Sequence, residues 1–261
     1  MIVNAHSAQR NRCTRWLLLS LVSLLSLALT SACVTDDARK ASEARRELGV
    51  TYMTEGNTEA ALRELVQAKK LNPRDAKIRH ALGMAFFAKE VPKKAEEELK
   101  AAIRLDPGLS EARLNLSSLY LDQQRFEEAI VQLKLVTEDY LYRQPARAWN
   151  NLGWAYYKTG KRQEALRAYQ KALQIAPQFC QALHNASLLQ TENQGLDSAL
   201  NFAQRAVQNC PQDLRFRLQL GQVQAQLKRV ADARTTLQEV AEKDPNGALG
   251  AEAKKALRAL P

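Results

Sequence analysis

The feature that most constrains this chain is a repeat of 34 residues. Leu48-Gly49, Leu82-Gly83, Leu152-Gly153 and Leu220-Gly221 recur along it, with Leu116-Ser117 and Ala186-Ser187 at the intermediate registers. Pro73, Pro107, Pro177, Pro211 and Pro245 each stand 24 residues after the small residue of a unit. Six units result, starting near residues 42, 76, 110, 146, 180 and 214, at intervals of 34 residues with one interval of 36. A period of this length marks stacked supersecondary units that share one continuous core.

The units are helical hairpins. Gly (10) and Pro (8) are too few for the turns of an all-β chain, and Leu, Ala, Gln, Glu, Lys and Arg are good helix formers. Each first helix carries a large residue, a small one, then an aromatic or long residue three further on: Leu48-Gly49-Tyr52, Leu82-Gly83-Phe86, Leu116-Ser117-Tyr120, Leu152-Gly153-Tyr156. The fifth unit is degenerate, with Gln190 in the aromatic place. Each second helix opens with Ala: Ala61, Ala95, Ala129, Ala165, Ala199, Ala233. Antiparallel helices approach closely only where side chains are small, so the Gly or Ser is expected to face that Ala across the hairpin. The aromatic residue is expected as a wedge between units. Pro ends the second helix, because it lacks a donor and clashes with the preceding turn.

This phased Gly, Ala and Pro pattern resembles the tetratricopeptide repeat over residues 42–247. The resemblance implies an all-α, right-handed superhelical solenoid of six repeats. Residues 248–261 read as an amphipathic capping helix over the apolar face of the last unit. The third unit is irregular: it lacks the closing Pro and ends in Thr137-Glu138-Asp139-Tyr140-Leu141-Tyr142-Arg143-Gln144-Pro145. Two readings are open, a longer second helix or a binding loop carrying Tyr140 and Tyr142.

The N-terminus reads as an export signal. Arg10, Arg12 and Arg15 precede a 14-residue run, Trp16 to Leu29, interrupted only by Ser20, Ser23 and Ser26. That run is too short to span a bilayer, and small residues follow it at once. Leu29-Thr30-Ser31-Ala32-Cys33 resembles a bacterial lipobox, with Thr30 where Leu is usual. The resemblance implies cleavage of residues 1–32 and a diacylglyceryl and N-acyl lipid on Cys33, with plain secretion as the alternative. Val34, rather than Asp, follows the cysteine, which favours an outer-membrane address. Residues 33–41 are then the lipidated Cys and a polar tether.

Cys180 and Cys210 are the cysteines left once Cys13 is removed and Cys33 is acylated. They open the first and close the second helix of unit five, ends that lie side by side in an antiparallel hairpin. A disulfide is expected in an oxidising compartment.

The net charge of +10 overstates the body of the protein. Without the leader arginines it is +7, from 35 basic and 28 acidic residues, spread in alternating runs such as Lys93-Lys94-Ala95-Glu96-Glu97-Glu98. This reads as a solvated helical surface, not a nucleic-acid site. No phosphate loop, zinc-protease motif or nucleophile elbow occurs, and His6, His80 and His184 are scattered. Paired acids such as Glu127-Glu128 sit where they complement helix dipoles. No catalytic residue, metal ligand or cofactor is expected beyond the lipid on Cys33.

The resemblance to the repeat family also implies a concave face lined by the second, fifth, ninth and twelfth residues of each first helix. In units one to four the inner positions are mostly apolar: Val50, Met53, Met84, Phe87, Leu121, Trp154 and Tyr157, with Ser118 the exception, joined by Leu114. The outer ones are mostly polar, among them Arg46, Lys77, His80 and Glu111. An apolar stripe with a polar rim fits an extended or amphipathic partner segment. The alternative is that superhelical closure buries these side chains as core.

Lipobox, repeat number, length and cap together resemble the pilotins of the type IV pilus secretin, the PilF, PilW and Tgl family. The resemblance implies a monomeric outer-membrane lipoprotein, facing the periplasm, that binds secretin subunits and promotes their multimerisation for pilus biogenesis and motility. The rival reading keeps the fold and changes the client: a scaffold for outer-membrane protein insertion or cell-wall synthesis.

Overall fold

The computed structural model describes residues 34–261, so the expectations for Cys33 and the leader lie outside the described residues. The described chain is all-α, with thirteen helices and no strand. They are α1 (Asp36–Thr54), α2 (Thr58–Leu71), α3 (Ala76–Ala88), α4 (Pro92–Leu105), α5 (Ser110–Asp122), α6 (Phe126–Thr137), α7 (Pro145–Lys158), α8 (Arg162–Ile175), α9 (Cys180–Glu192), α10 (Leu196–Asn209), α11 (Leu214–Gln226), α12 (Val230–Lys243) and α13 (Ala248–Arg258). Odd and even helices pair as antiparallel hairpins, and each hairpin packs on the next.

Local chemistry sets the helix starts. Asp75 accepts hydrogen bonds from the Lys77 (2.7 Å) and Ile78 (3.1 Å) amides at the head of α3, and Asn57 does the same for Ala60 at the head of α2 (3.1 Å). Pro92 and Pro145 occupy first turns, where their missing donors cost nothing.

The segment expected as a tether is helical instead. Thr35 caps α1 by accepting from the Ala38 amide at 3.2 Å. Asp36 pairs with Arg39 at 2.6 Å and Lys40 at 2.9 Å. Acids at the head of a run of good helix formers stabilise it although it is polar, so α1 begins six residues before the first repeat.

The small residue faces the Ala of the second helix as expected: a Cβ on Gly49 would lie 3.3 Å from the Ala61 carbonyl oxygen, and Ser187 Oγ donates to the Ala199 carbonyl at 2.9 Å. A larger neighbour meets it there too. A Cβ on Gly83 would lie 2.7 Å from Leu99 Cγ, and one on Gly153 would lie 2.6 Å from the Tyr169 ring. The small residue therefore makes room for the large residue one turn beyond the Ala. A helical side chain leans back over the turn N-terminal to it, which brings Leu99 and Tyr169 to the crossing.

Between units, one first-helix position repeats the same lock. Leu82, Leu116, Leu152, Ala186 and Leu220 are all buried, Leu82 in a cluster with Leu62 and Leu65 of the preceding hairpin. Phe86 joins both that cluster and the one formed by units two to four, so it wedges neighbouring hairpins together. At the far end, α13 closes the stack through Ala253, which is fully buried against Leu218, Leu237 and Val240.

Candidate functional site: the concave face

The first helices α1, α3, α5 and α7 lie side by side, and their inner surface is the candidate site. Between α1, α3 and the start of α5 lies an open cavity of about 620 Å³. Val50, Met53, Ala81 and Met84 supply its apolar lining, and Arg46, Lys77, His80, Glu111 and Asn115 its polar one. Val50 is exposed; Met53 and Met84 are half-buried and adaptable in shape.

The rest of the expected stripe divides by depth. Leu114 is 2% exposed and belongs to the core of units two to four, so it lines no open surface. Its neighbour Ser117 turns its hydroxyl to the Leu114 carbonyl at 2.6 Å, in the same dry layer. Phe87 and Leu121 are half-buried against that core. Trp154 and Tyr157 form a separate aromatic pair, with ring centroids 5.4 Å apart and Lys158 Nζ 4.7 Å over the indole. The Tyr157 hydroxyl donates to Glu192 of α9. Burial and that carboxylate push the Tyr157 pKa up to about 12, so the hydroxyl stays a donor.

Polar ladders run between successive first helices. Asn115 Nδ2 lies 2.7 Å from His80 Nε2. Burial holds the His80 pKa below its ordinary value, so the neutral ring accepts from the amide. Asn185 Nδ2 donates to Asn150 Oδ1 at 3.0 Å. Gln219 reaches Thr191 at 3.1 Å. The spacing rule for the groove missed Asn115. The recurring amide at the sixth place of the first helix, as in Asn115, Asn151, Asn185 and Gln219, is the sequence signal that finds it.

Models of the tetratricopeptide repeat match residues 46–110, 86–142, 146–179 and 191–260. Over 186 residues the chain is 32% identical to the type IV pilus assembly protein PilF of Pseudomonas aeruginosa, covering 67% of this chain and 73% of that one. This chain belongs to the PilF family.

Two solved structures share its fold. The structure of Pseudomonas aeruginosa PilF superposes with a TM-score of 0.76 at 23% identity, over 84% of this chain and 99% of that one. PilW, described as a widely conserved type IV pilus biogenesis factor, superposes with a TM-score of 0.75 at 18% identity, over 80% of this chain and 96% of that one.

Two further features of this PilF-family chain lie off the groove. Cys180, the first residue of α9, is bonded to Cys210, just past the end of α10, with Cα atoms 6.3 Å apart. The third unit does not extend its second helix: α6 has 12 residues where α2, α4, α8, α10 and α12 have 14. Residues 138–144 form an ordered turn. Asp139 accepts from Ser110 Oγ at 2.5 Å and from the Leu141 amide at 2.9 Å, which also holds the Asp139 carboxyl below its ordinary range. Tyr142 is 8% exposed and belongs to the core, so the loop reading keeps Tyr140 and loses Tyr142. Among the described residues no group of His, Cys, Asp or Glu could hold a metal ion.

Proposed function

We propose that this protein is a pilotin: an outer-membrane lipoprotein that binds secretin subunits of the type IV pilus and promotes their assembly into multimers. The observation that carries the reading is the 32% identity to a type IV pilus assembly protein over most of its length. The concave cavity supports it, since Val50, Met53 and Met84 offer an apolar seat rimmed by Arg46, Lys77 and Glu111. An extended or amphipathic segment of a secretin monomer docks there and stays shielded until neighbouring subunits replace the contact. The lipid on Cys33 holds the protein at the inner leaflet of the outer membrane, an address that Val34 favours. Acyl chains contribute about 0.8 kcal/mol per buried methylene, so a multiply acylated Cys makes this attachment durable. The chain acts as a scaffold and performs no catalysis.

The test is the secretin state in a deletion strain, read as heat-stable multimers against monomers in membrane fractions. Loss of multimers, restored by the wild type but not by Val50→Asp with Met84→Asp, is the expected result. Unchanged multimers in the deletion strain would remove the pilotin reading and leave an anchored scaffold for another envelope machine, such as outer-membrane protein insertion or cell-wall synthesis.

A further inference from the structure

The solenoid has two unlike edges. On one edge every first helix starts and every second helix ends. The contact between Ser110 and Asp139 and the bond between Cys180 and Cys210 mark that edge in units three and five. The first unit keeps the same antiparallel register, with Gly49 against Leu65 and Arg45 Nη1 2.6 Å from Glu64 Oε2. Residue 42 is therefore level with the end of α2, and the extra residues 36–41 of α1 run about 9 Å past this edge at 1.5 Å per residue. Cys33 is three residues further, at most about 10 Å of extended chain. A lipid on Cys33 thus holds this edge, and no other, toward the bilayer.

The same edge carries the most exposed apolar side chains of the described protein. Tyr140 is 100% exposed and Leu141 91%. Leu105 and Ile175 are exposed at the ends of α4 and α8, and Val34 precedes α1. At the turns of the opposite edge, near Gly56, Glu90, Gln124, Gly160, Gln194 and Lys228, large apolar residues such as Val91 and Leu227 are half-buried and none is exposed as Tyr140 and Leu141 are. Nor is the Tyr140–Leu141 turn loose: Tyr142 anchors it in the core, and Asp139 is taken up by Ser110 and the turn's own amides. The fold therefore holds two apolar side chains out in solvent. Arg143 and Arg147 flank them, and neither is in an ion pair among the described residues.

We infer that this edge is a membrane-facing surface, and that Tyr140 and Leu141 seat in the headgroup region of the bilayer that holds the anchor. The inference rests on the lipid anchor at Cys33. Tyr is enriched at this depth because its ring is apolar and its hydroxyl stays wet, and guanidinium groups meet lipid phosphates there. Two points of attachment, the acyl group and the turn, set the solenoid edge-on and leave the concave face open sideways, parallel to the membrane.

The test uses the full chain, exported and purified from bacterial membranes, then reconstituted in vesicles of phosphatidylethanolamine with phosphatidylglycerol. Leu141→Cys carries an environment-sensitive fluorophore, and Gln124→Cys on the opposite edge carries the same label as control. Lipids with a headgroup-depth quencher should quench residue 141 several-fold more than residue 124, with a blue shift at 141 alone. Equal, weak quenching in protein whose intact mass shows the acyl groups would overturn the inference while leaving the anchor in place; a protein partner would then be the occupant. Protein whose mass shows an unmodified Cys33 would overturn the anchor and, with it, this inference.

Discussion

Leu48 and Leu82 hold the same place in successive repeats, yet Leu82 is 1% exposed beneath the preceding hairpin, whereas Leu48 is 42% exposed, with no hairpin packed on that side of α1 among the described residues. The lock is the same residue at the same repeat position; what differs among the described residues is the neighbour that covers it. Leu82→Ala should cost about 2–5 kcal/mol, the range for emptying a packed leucine site, whereas Leu48→Ala should cost less than about 1 kcal/mol. Urea unfolding of the two variants measures both. Equal losses would mean that α1 is covered in solution.

The Glu96 carboxylate receives both Arg125 nitrogens, at 2.6 and 3.0 Å, and Lys100 at 2.7 Å. Hydrogen bonding to Arg125 is the main cause that lowers its pKa to about 2; burial opposes this and Lys100 adds to it. A carboxylate with a depressed pKa contributes stability above its ordinary value, and the contribution is lost as pH falls toward the folded value. Glu96→Gln should therefore destabilise the protein by about 1 kcal/mol at neutral pH, since the pair is bidentate but near solvent. The gap between variant and wild type should close as pH falls from about 4.5 to about 2. Urea midpoints across that range give the answer, and a constant gap would assign the effect to packing.

Replacing Cys180 and Cys210 together by Ser should lower stability by about 3–4 kcal/mol in the chain-entropy picture for a loop of this size. The bond spans unit five, the unit with Gln190 in place of the aromatic wedge. Reductant should lower the melting temperature of the wild type and leave the double variant unchanged. A wild type indifferent to reductant would show that the hairpin is held by packing alone.

Leu114 and Met84 separate core from groove. Leu114→Ala should destabilise by about 2–5 kcal/mol, because Leu114 is 2% exposed. Met84→Asp should leave the protein folded, since the side chain opens into the cavity, and should weaken binding of purified secretin subunits by at least tenfold. Helical circular dichroism and a binding isotherm read the two effects apart. Binding unchanged by Met84→Asp would move the partner site off this cavity.

Much of this protein was legible without coordinates. The small residue at the hairpin crossing returns in all six units, and the 34-residue spacing and the closing Pro fail only at the third; all three are local or next-neighbour requirements. The two cysteines bracket one hairpin, so helix pairing alone brings them together. Other features depend on what lies across the fold. Leu114 and Met84 both sit at concave-face positions of a first helix, but Leu114 packs into the core of units two to four while Met84 lines the cavity. Tyr140 and Tyr142 are two residues apart, and the turn sends one to solvent and the other to the core. The polar run after Cys33 looked like a tether because composition does not register a Thr cap and an Asp-Arg pair.

The sequence by itself determined the architecture, because repeat packing is a short-range problem solved once and copied along the chain. Depth and direction were decided by tertiary structure. Whether an apolar side chain becomes core, groove or exposed edge depends on which neighbour covers it, and that neighbour stands a full repeat away. The exposure of Leu48 on α1, the shortened α6 and the common edge shared by Val34 and Tyr140 come from that long-range geometry.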